Sequence, residues 1–155
     1  MKKTIFLLLS TVFLAYNSNA QTQNNSLQKN REFTGAKATH KMYHAIYQMD
    51  NNDPKIIGKT FRNINNALSD PRLKGKIKIE LIAFSGGTDA YLIGGKYEDD
   101  LKALVEKGVI VAQCGNTLSE RKIGRDKLYD FIAIVPSGNG ELIIRQAEGW
   151  AVVKP

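Results

Sequence analysis

Cys114 is the only cysteine in the 155-residue sequence, and a thiol at its position could do chemistry. It directly follows the apolar run Val109–Gln113, which is typical of a buried strand. Thr117 and Glu120 fit a capping box, so the sequence predicts that a helix begins with Thr117 as its N-cap. Cys114 is therefore predicted to lie between the end of a strand and the start of a helix.

This position favours a reactive thiol, because a helix amino terminus stabilises thiolate, the form of cysteine that attacks sulfur. Nearby Arg121, Lys122 or Arg125 would act in the same direction. Two other interpretations stay open. The thiol could be a small buried apolar side chain, or it could form a disulfide with another chain, since a single cysteine excludes an intramolecular one.

A second candidate is the segment Ser85-Gly86-Gly87-Thr88, which interrupts an apolar run and could present backbone N–H groups to an anion or form a plain turn. His40 and His44 supply at most half of a metal site and are interpreted as structural or surface residues. The sequence predicts no metal and no cofactor. Ser85 is not part of a nucleophile elbow, so acyl transfer has no support.

Strands and helices alternate along the chain and indicate a mostly parallel sheet with helices on both faces. After Asp53-Pro54, apolar residues at helical spacing predict an amphipathic helix. Further helices are predicted at Tyr97–Lys107 and from Pro136 to Gly149, with shorter helical stretches at Asp89–Ile93, Leu118–Ile123 and Asp126–Tyr129. The predicted strands are Lys41–Met49, Lys76–Phe84, Val109–Gln113, Phe131–Val135 and Trp150–Val153. The expected fold is a three-layer α/β/α domain with about five strands.

The first twenty residues have the order of a secretory signal peptide. Lys2 and Lys3 precede an apolar run, Thr4–Tyr16, and Ser18 and Ala20 are small residues at the −3 and −1 positions of a cleavage site. Cleavage after Ala20 would leave about 135 residues, enough for one domain. The chain is therefore expected to be exported to the periplasm, with no membrane segment after cleavage.

Residues 21–38 are polar and are predicted to be a flexible leader before a domain over residues 39–155. Loss of the two signal lysines would lower the net charge from +7 to about +5. The basic residues are dispersed and mixed with acids, whereas nucleic-acid binders usually cluster them on one face. No nucleic-acid partner is predicted.

Three segments resemble the DsrE/DsrF-like family. They are Val111–Leu118 (VAQCGNTL), Ile82–Gly87 (IAFSGG), and the carboxyl-terminal stretch from Val135 to Ala151. The likeness extends over about Lys41 to Pro155 and implies a three-layer α/β/α fold and a homo-oligomer, trimer or hexamer. In the sulfur-relay members, a cysteine at the end of this strand accepts and passes on a persulfide, and that role falls on Cys114. Those relays are largely cytoplasmic, whereas this chain is expected to be exported.

Two functions therefore stay open, and with them whether the protein is an enzyme. The first is sulfur transfer or thiol redox chemistry through Cys114, with a sulfur donor or acceptor protein as partner. Asn116, Thr117, Ser85, Gly86 and Gly87 would stabilise the thiolate or line the cleft. The alternative is a non-catalytic oligomeric binding module, whose cleft at the carboxyl ends of the strands holds a small ligand or partner.

Overall fold

A computed structural model describes residues 25–155, so the predicted signal peptide and residues 21–24 lie outside the described residues. The described chain divides into two units, one ending at Lys37 and the other running from Ala38 to Pro155. In the first unit, residues 25–31 form helix α1 within the predicted leader. Among the described residues, no helix is both long and apolar enough to cross a bilayer.

The second unit contains a sheet of five parallel strands in the order β4-β3-β2-β1-β5, which confirms the predicted fold class. The strands are β1 (Tyr43–Met49), β2 (Ile77–Ala83), β3 (Ile110–Cys114), β4 (Ala133–Val135) and β5 (Ala151–Val153). The helices are α2 (Pro54–Ser69), α3 (Glu98–Glu106), α4 (Gly115–Arg121) and α5 (Gly138–Ala147). Two 3-10 helices, Ser85–Tyr91 and Arg125–Lys127, lie in the connections.

The start of α2 follows the prediction from the sequence. Asp53 is its N-cap and accepts a hydrogen bond from the backbone N–H of Lys55 at 2.8 Å, while Pro54 occupies the first turn. Ile57, Phe61 and Ile64 are buried, as their helical spacing predicts. These side chains fix α2 against the sheet because their burial removes apolar surface from water.

The two faces of the sheet are covered unequally. The larger core cluster joins side chains of α2, α3 and α4 to one face of the sheet. The smaller cluster, on the other face, contains Ile46, Ile82 and Ala112, with Leu142 of α5 and Trp150 packed against it. This division follows from right-handed crossovers, because the chain moves in one direction from β1 to β4 and returns to β5 through α5.

Several predicted boundaries differ from the structure. β3 extends through Cys114, and α4 begins at Gly115, three residues before the predicted Leu118. The segment Ser85–Thr88, predicted to be a turn before a helical stretch at Asp89–Ile93, is the first part of a 3-10 helix that ends at Tyr91. The predicted Asp126–Tyr129 stretch is a single 3-10 turn, Arg125–Lys127.

Candidate functional site

Cys114 lies at the carboxyl edge of the sheet, where two neighbouring strands send the chain to opposite faces. It is the last residue of β3 and pairs in register with Val135, the last residue of β4. The chain continues from β3 into α4 on one face and from β4 into α5 on the other. Such a switch in direction opens a crevice between strand ends, which is where open α/β sheets usually bind ligands.

Backbone N–H groups from both of these connections converge on the Cys114 thiol. The N–H of Thr117 donates to Sγ at 3.5 Å. The N–H groups of Gly138 and Asn116 also lower the pKa of the thiol, while the N–H of Asn116 donates to the carbonyl of Pro136 at 3.2 Å. The hydroxyl of Thr117 is a further donor. A sulfur surrounded by donors is stabilised in its anionic form.

The pKa of the Cys114 thiol results from two opposed effects. The side chain is only 5% exposed, and burial by itself raises the thiol pKa. The hydrogen bonds from Gly138, Thr117 and Asn116 lower the pKa by more, so it lies below the ordinary value of 9.0. The site therefore favours the thiolate through uncharged donors.

The predicted capping arrangement is wrong in its details. Cys114, and not Thr117, is the N-cap of α4, because its Sγ accepts the N–H of Thr117. Thr117 lies inside the first turn, and its hydroxyl accepts the backbone N–H of Ser85 at 3.1 Å. The capping box with Glu120 is consequently not formed.

The predicted basic side chains have other partners. Arg121 donates to the carbonyl of Ser85 and pairs with Asp89. The guanidinium of Arg125 donates to the carbonyls of Tyr129, Asp130 and Ile132. Lys122 is the C-cap at the far end of α4, in a left-handed conformation. The thiolate is stabilised by backbone N–H groups and the Thr117 hydroxyl rather than by these charges.

A family model, the DsrE/DsrF-like family, matches residues 33–155 of the chain. The chain belongs to the DsrE/DsrF-like family. This confirms the resemblance seen in the sequence and places Cys114 within the matched region. A comparison with curated proteins gave no match.

Two solved structures have similar folds to this DsrE/DsrF-like chain. One is a protein of unknown function, MTH1491 from Methanobacterium thermoautotrophicum, with a TM-score of 0.69, 29% identity, and coverage of 73% of this chain and 99% of that one. The other is the ychN protein from E. coli, with a TM-score of 0.59, 18% identity, and coverage of 74% and 99%. At 18% identity the second likeness shows the fold alone.

The structure brings only some of the predicted site residues of this DsrE/DsrF-like chain to the sulfur. Asn116 and Thr117 contact Cys114 directly, and Ser85 is linked to it through Thr117. Gly86 and Gly87 instead pack on the backbone after β1, two strands away in the sheet. A Cβ at Gly87 would collide with the carbonyl of Met49, so this glycine is required for close packing.

Gly138 is the site residue that sequence reasoning missed. It begins α5, and a Cβ there would lie 2.9 Å from Cδ1 of Phe84 and 3.2 Å from Cβ of Cys114. Only a glycine lets the start of α5 come this close to the thiol. The signal available in the sequence is a glycine at the predicted start of the last helix, shortly after the predicted strand Phe131–Val135.

An open groove lies on another part of the second unit. It has a volume of about 580 Å³ and is lined by Ile93, Glu98, Arg125, Asp126, Leu128, Tyr129 and Asp130. Of these residues only Arg125 was considered for the site in the sequence analysis, as a nearby basic side chain. Among the described residues, no group of three or more His, Cys, Asp or Glu side chains could hold a metal ion. The groups around the sulfur can bind and orient an anion or a reactive sulfur atom.

Proposed function

We propose that the protein is a sulfur carrier that holds a persulfide on Cys114. The observation that supports this most directly is the convergence of the N–H groups of Gly138, Asn116 and Thr117 on Sγ at the strand-end crevice. These donors favour the thiolate, and membership of the DsrE/DsrF-like family adds sulfur-relay chemistry as the related function.

The transfer conserves atoms and charge. The Cys114 thiolate attacks the outer sulfur of a donor persulfide, R–S–SH, and forms a new S–S bond. The donor S–S bond breaks, and its electron pair leaves with the donor as R–S⁻. Cys114 then carries the persulfide as Cys–S–SH. An acceptor thiolate can attack its outer sulfur in the same way, which regenerates the Cys114 thiolate. No external oxidant or reductant is needed.

The test is sulfur loading of the folded, mature protein. Inorganic polysulfide serves as the donor probe, and intact-protein mass spectrometry measures the added sulfur. Wild type is expected to gain one sulfur atom that a thiol reductant removes, and Cys114→Ser is expected to fold and gain none. Equal labelling of the two proteins, or none on wild type, would reject the carrier function.

The alternative of a non-catalytic binding module is favoured by one observation, the burial of Cys114 to 5% exposure. In a binding module, the thiol would be a buried apolar side chain at the end of β3 and would react only after unfolding. Alkylation of folded protein separates the two functions. A rate close to that of unfolded protein or faster supports the carrier, whereas protection until denaturation supports the binding module.

Export to the periplasm after cleavage at Ala20 is part of the proposal, supported by the order of basic, apolar and small residues in the first twenty positions. The mass of the protein recovered from a periplasmic extract would test it. An amino terminus at Gln21 is expected, and a chain that keeps Met1 in the cytoplasm would contradict export.

A homo-oligomer, trimer or hexamer, is also proposed. The face of the sheet that α5 covers leaves Ile110 and Val152 exposed, and α5 itself exposes Ile143 and Ile144. Apolar surface of this kind is commonly buried between subunits. Light scattering on the purified mature protein is expected to give a mass of three or six chains, and a monomer at micromolar concentration would contradict it.

A further inference from the structure

An ion pair at the edge of the site contacts Ser85, the residue whose backbone N–H binds Thr117. Arg121, the last residue of α4, places one guanidinium nitrogen 2.6 Å from Oδ1 of Asp89 and another 2.9 Å from the carbonyl of Ser85. The other carboxylate oxygen of Asp89 accepts from the side-chain amide of Asn52 at 3.0 Å. The planar fork of arginine can hold a carboxylate and a carbonyl together in this way.

Ser85 is held in a conformation that it would not adopt freely. Its φ of 50° lies in the left-handed region, which costs a serine about 1 kcal/mol or more. Both of its backbone polar groups bind α4, the carbonyl to Arg121 and the N–H to Oγ1 of Thr117 at 3.1 Å. Residues 117 and 121 are one helical turn apart, so α4 binds the Ser85 residue at two points.

The hydrogen bond from Ser85 restricts the hydroxyl of Thr117. A hydroxyl has one proton to donate, and the N–H of Ser85 occupies acceptor capacity on Oγ1. The hydroxyl proton is then free to point away from Ser85 and toward Cys114, whose thiol pKa the Thr117 side chain lowers. The backbone N–H of Thr117 donates to the same sulfur at 3.5 Å, so the position of residue 117 determines both contacts. Without Ser85 in place, the hydroxyl could rotate toward a carbonyl of its own helix, as threonines in helices often do.

We propose that Arg121 and Asp89 are positioning residues for Cys114: they hold Ser85 in its left-handed conformation, and Ser85 in turn aims the Thr117 hydroxyl at the sulfur. This inference deepens the proposed function, on which it rests, by naming residues that tune the same thiol without touching it. In the series of contacts from Asp89 to Cys114, only Arg121 and Asp89 are charged. The groups that act on the sulfur itself are uncharged donors.

The experiment compares the alkylation rate of Cys114 by iodoacetamide against pH in four mature proteins: wild type, Arg121→Gln, Thr117→Val and the double variant. Arg121→Gln is expected to move the profile to higher pH, which lowers the rate at a pH below the thiol pKa by about threefold to tenfold. In the Thr117→Val background the same substitution is expected to change nothing further, because the hydroxyl that it acts on is absent.

A control and a second variant separate this effect from general destabilisation. Arg72→Gln breaks an Arg–Asp pair of the same type, with Asp70, and is expected to leave the profile unchanged. Asp89→Ala removes the ion-pair partner and is expected to shift the profile in the same direction as Arg121→Gln, so the inference can be tested if either protein fails to fold.

The outcomes of the two proposals are distinguishable. The absolute pKa of wild type and its sulfur loading decide the carrier function. The difference between wild type and Arg121→Gln decides the positioning role, whatever the wild-type value is. An unchanged profile in Arg121→Gln and Asp89→Ala, or an equal shift with and without the Thr117 hydroxyl, would overturn it.

Discussion

The backbone N–H of Gly138, at the start of α5, acts on the thiol of Cys114, at the end of β3, and lowers its pKa. The two residues are 24 positions apart in sequence and lie in connections that leave the sheet on opposite faces. Their contact exists because β3 and β4 are neighbours with parallel register, so that their ends meet at one edge. The pKa of the thiol therefore depends on the order of the strands as well as on α4, the helix that Cys114 caps.

Gly138→Ala is expected to disturb this contact. Its Cβ would press on Phe84 at 2.9 Å and on Cys114 at 3.2 Å, so the start of α5 must move and withdraw its donor. We expect the thiol pKa to rise and the free energy of unfolding to fall by about 1–3 kcal/mol, the usual range for overpacking. Alkylation against pH and urea unfolding measure the two effects.

Gly58→Ala is the matched control for this change. Gly58 lies in α2, and a Cβ there meets nothing within 4 Å. Alanine in a helix interior is more stabilising than glycine by roughly 0.5–1 kcal/mol. This variant should therefore be more stable than wild type and show the same alkylation rate of Cys114 against pH. If both alanine variants leave the thiol profile at the wild-type position, the Gly138 contact does not tune Cys114.

Ser85→Gly and Ser85→Val are expected to have opposite effects on stability. Glycine adopts a φ of 50° without strain and keeps both backbone hydrogen bonds of residue 85. Valine is β-branched and strongly disfavoured there, so we expect it to lower the free energy of unfolding by about 1–3 kcal/mol and to raise the thiol pKa as the Thr117 contact loosens. Thermal unfolding and the alkylation profile are the measurements.

Lys122 provides a comparison, since its φ of 53° is similar but it caps the far end of α4. Lys122→Gly is expected to stabilise the protein slightly without altering the thiol. A Ser85→Val protein with wild-type alkylation would show that the conformation of residue 85 does not reach the sulfur.

Most of the fold could be predicted because it follows from local patterns. The apolar spacing of Ile57, Phe61 and Ile64 and the cap at Asp53 determine α2 from adjacent residues alone. The alternation of strands with helices also predicts a parallel sheet. The start of α4 could not be predicted in this way, because two competing caps are present and the thiol of Cys114, rather than the hydroxyl of Thr117, accepts the first-turn N–H.

The site was predicted less completely because its contacts are long-range. Cys114 was identified from its position between a strand and a helix, and the structure places it there. The donor at Gly138 depends on the register between β3 and β4, and the Ser85–Thr117 bond depends on how the β2 connection packs on α4. Neither register nor packing of connections is encoded in the periodicity of a single segment.

The stability contributed by Cys114 should depend on pH in a defined direction. Its pKa is lower in the folded protein than the ordinary value of 9.0, so the unfolded chain binds more protons between the two pKa values. Stability from this group is fully present above pH 9.0 and is lost as the pH falls through the folded pKa. Each unit of pKa difference is worth about 1.4 kcal/mol.

The free energy of unfolding of wild type minus that of Cys114→Ser is therefore expected to increase as the pH rises from about 6 to 9. Urea unfolding under reducing conditions at several pH values measures this difference, and serine is the closest replacement in shape. A difference that stays constant or decreases with pH would mean that folding does not stabilise the thiolate.

Glu80 should show the opposite dependence. It lies on β2, 1% exposed, with Oε2 accepting from Nε of Arg145 at 2.8 Å and Oε1 without a hydrogen-bond partner. Burial raises its pKa above the ordinary 4.5, Arg145 opposes this, and the negative charges of Glu141 on α5 and Glu148 at its C-cap raise the pKa further. Stability from this group is thus fully present below pH 4.5 and is lost as the pH rises through the folded pKa.

Glu80→Gln removes the buried charge, while Arg145 keeps its pairs with Glu141 and Glu148. Relative to this variant, wild type should become less stable between pH 4.5 and about pH 7, by about 1.4 kcal/mol for each unit by which the folded pKa is raised. Asp70→Asn is the control, because the pKa of Asp70 is about 2 and its ordinary value is 3.8, both below this window. Urea unfolding at the two pH values should show a pH-dependent difference for Glu80→Gln and a nearly constant one for Asp70→Asn. A constant difference for Glu80→Gln would mean that the Arg145 pair fully compensates the burial of the carboxylate.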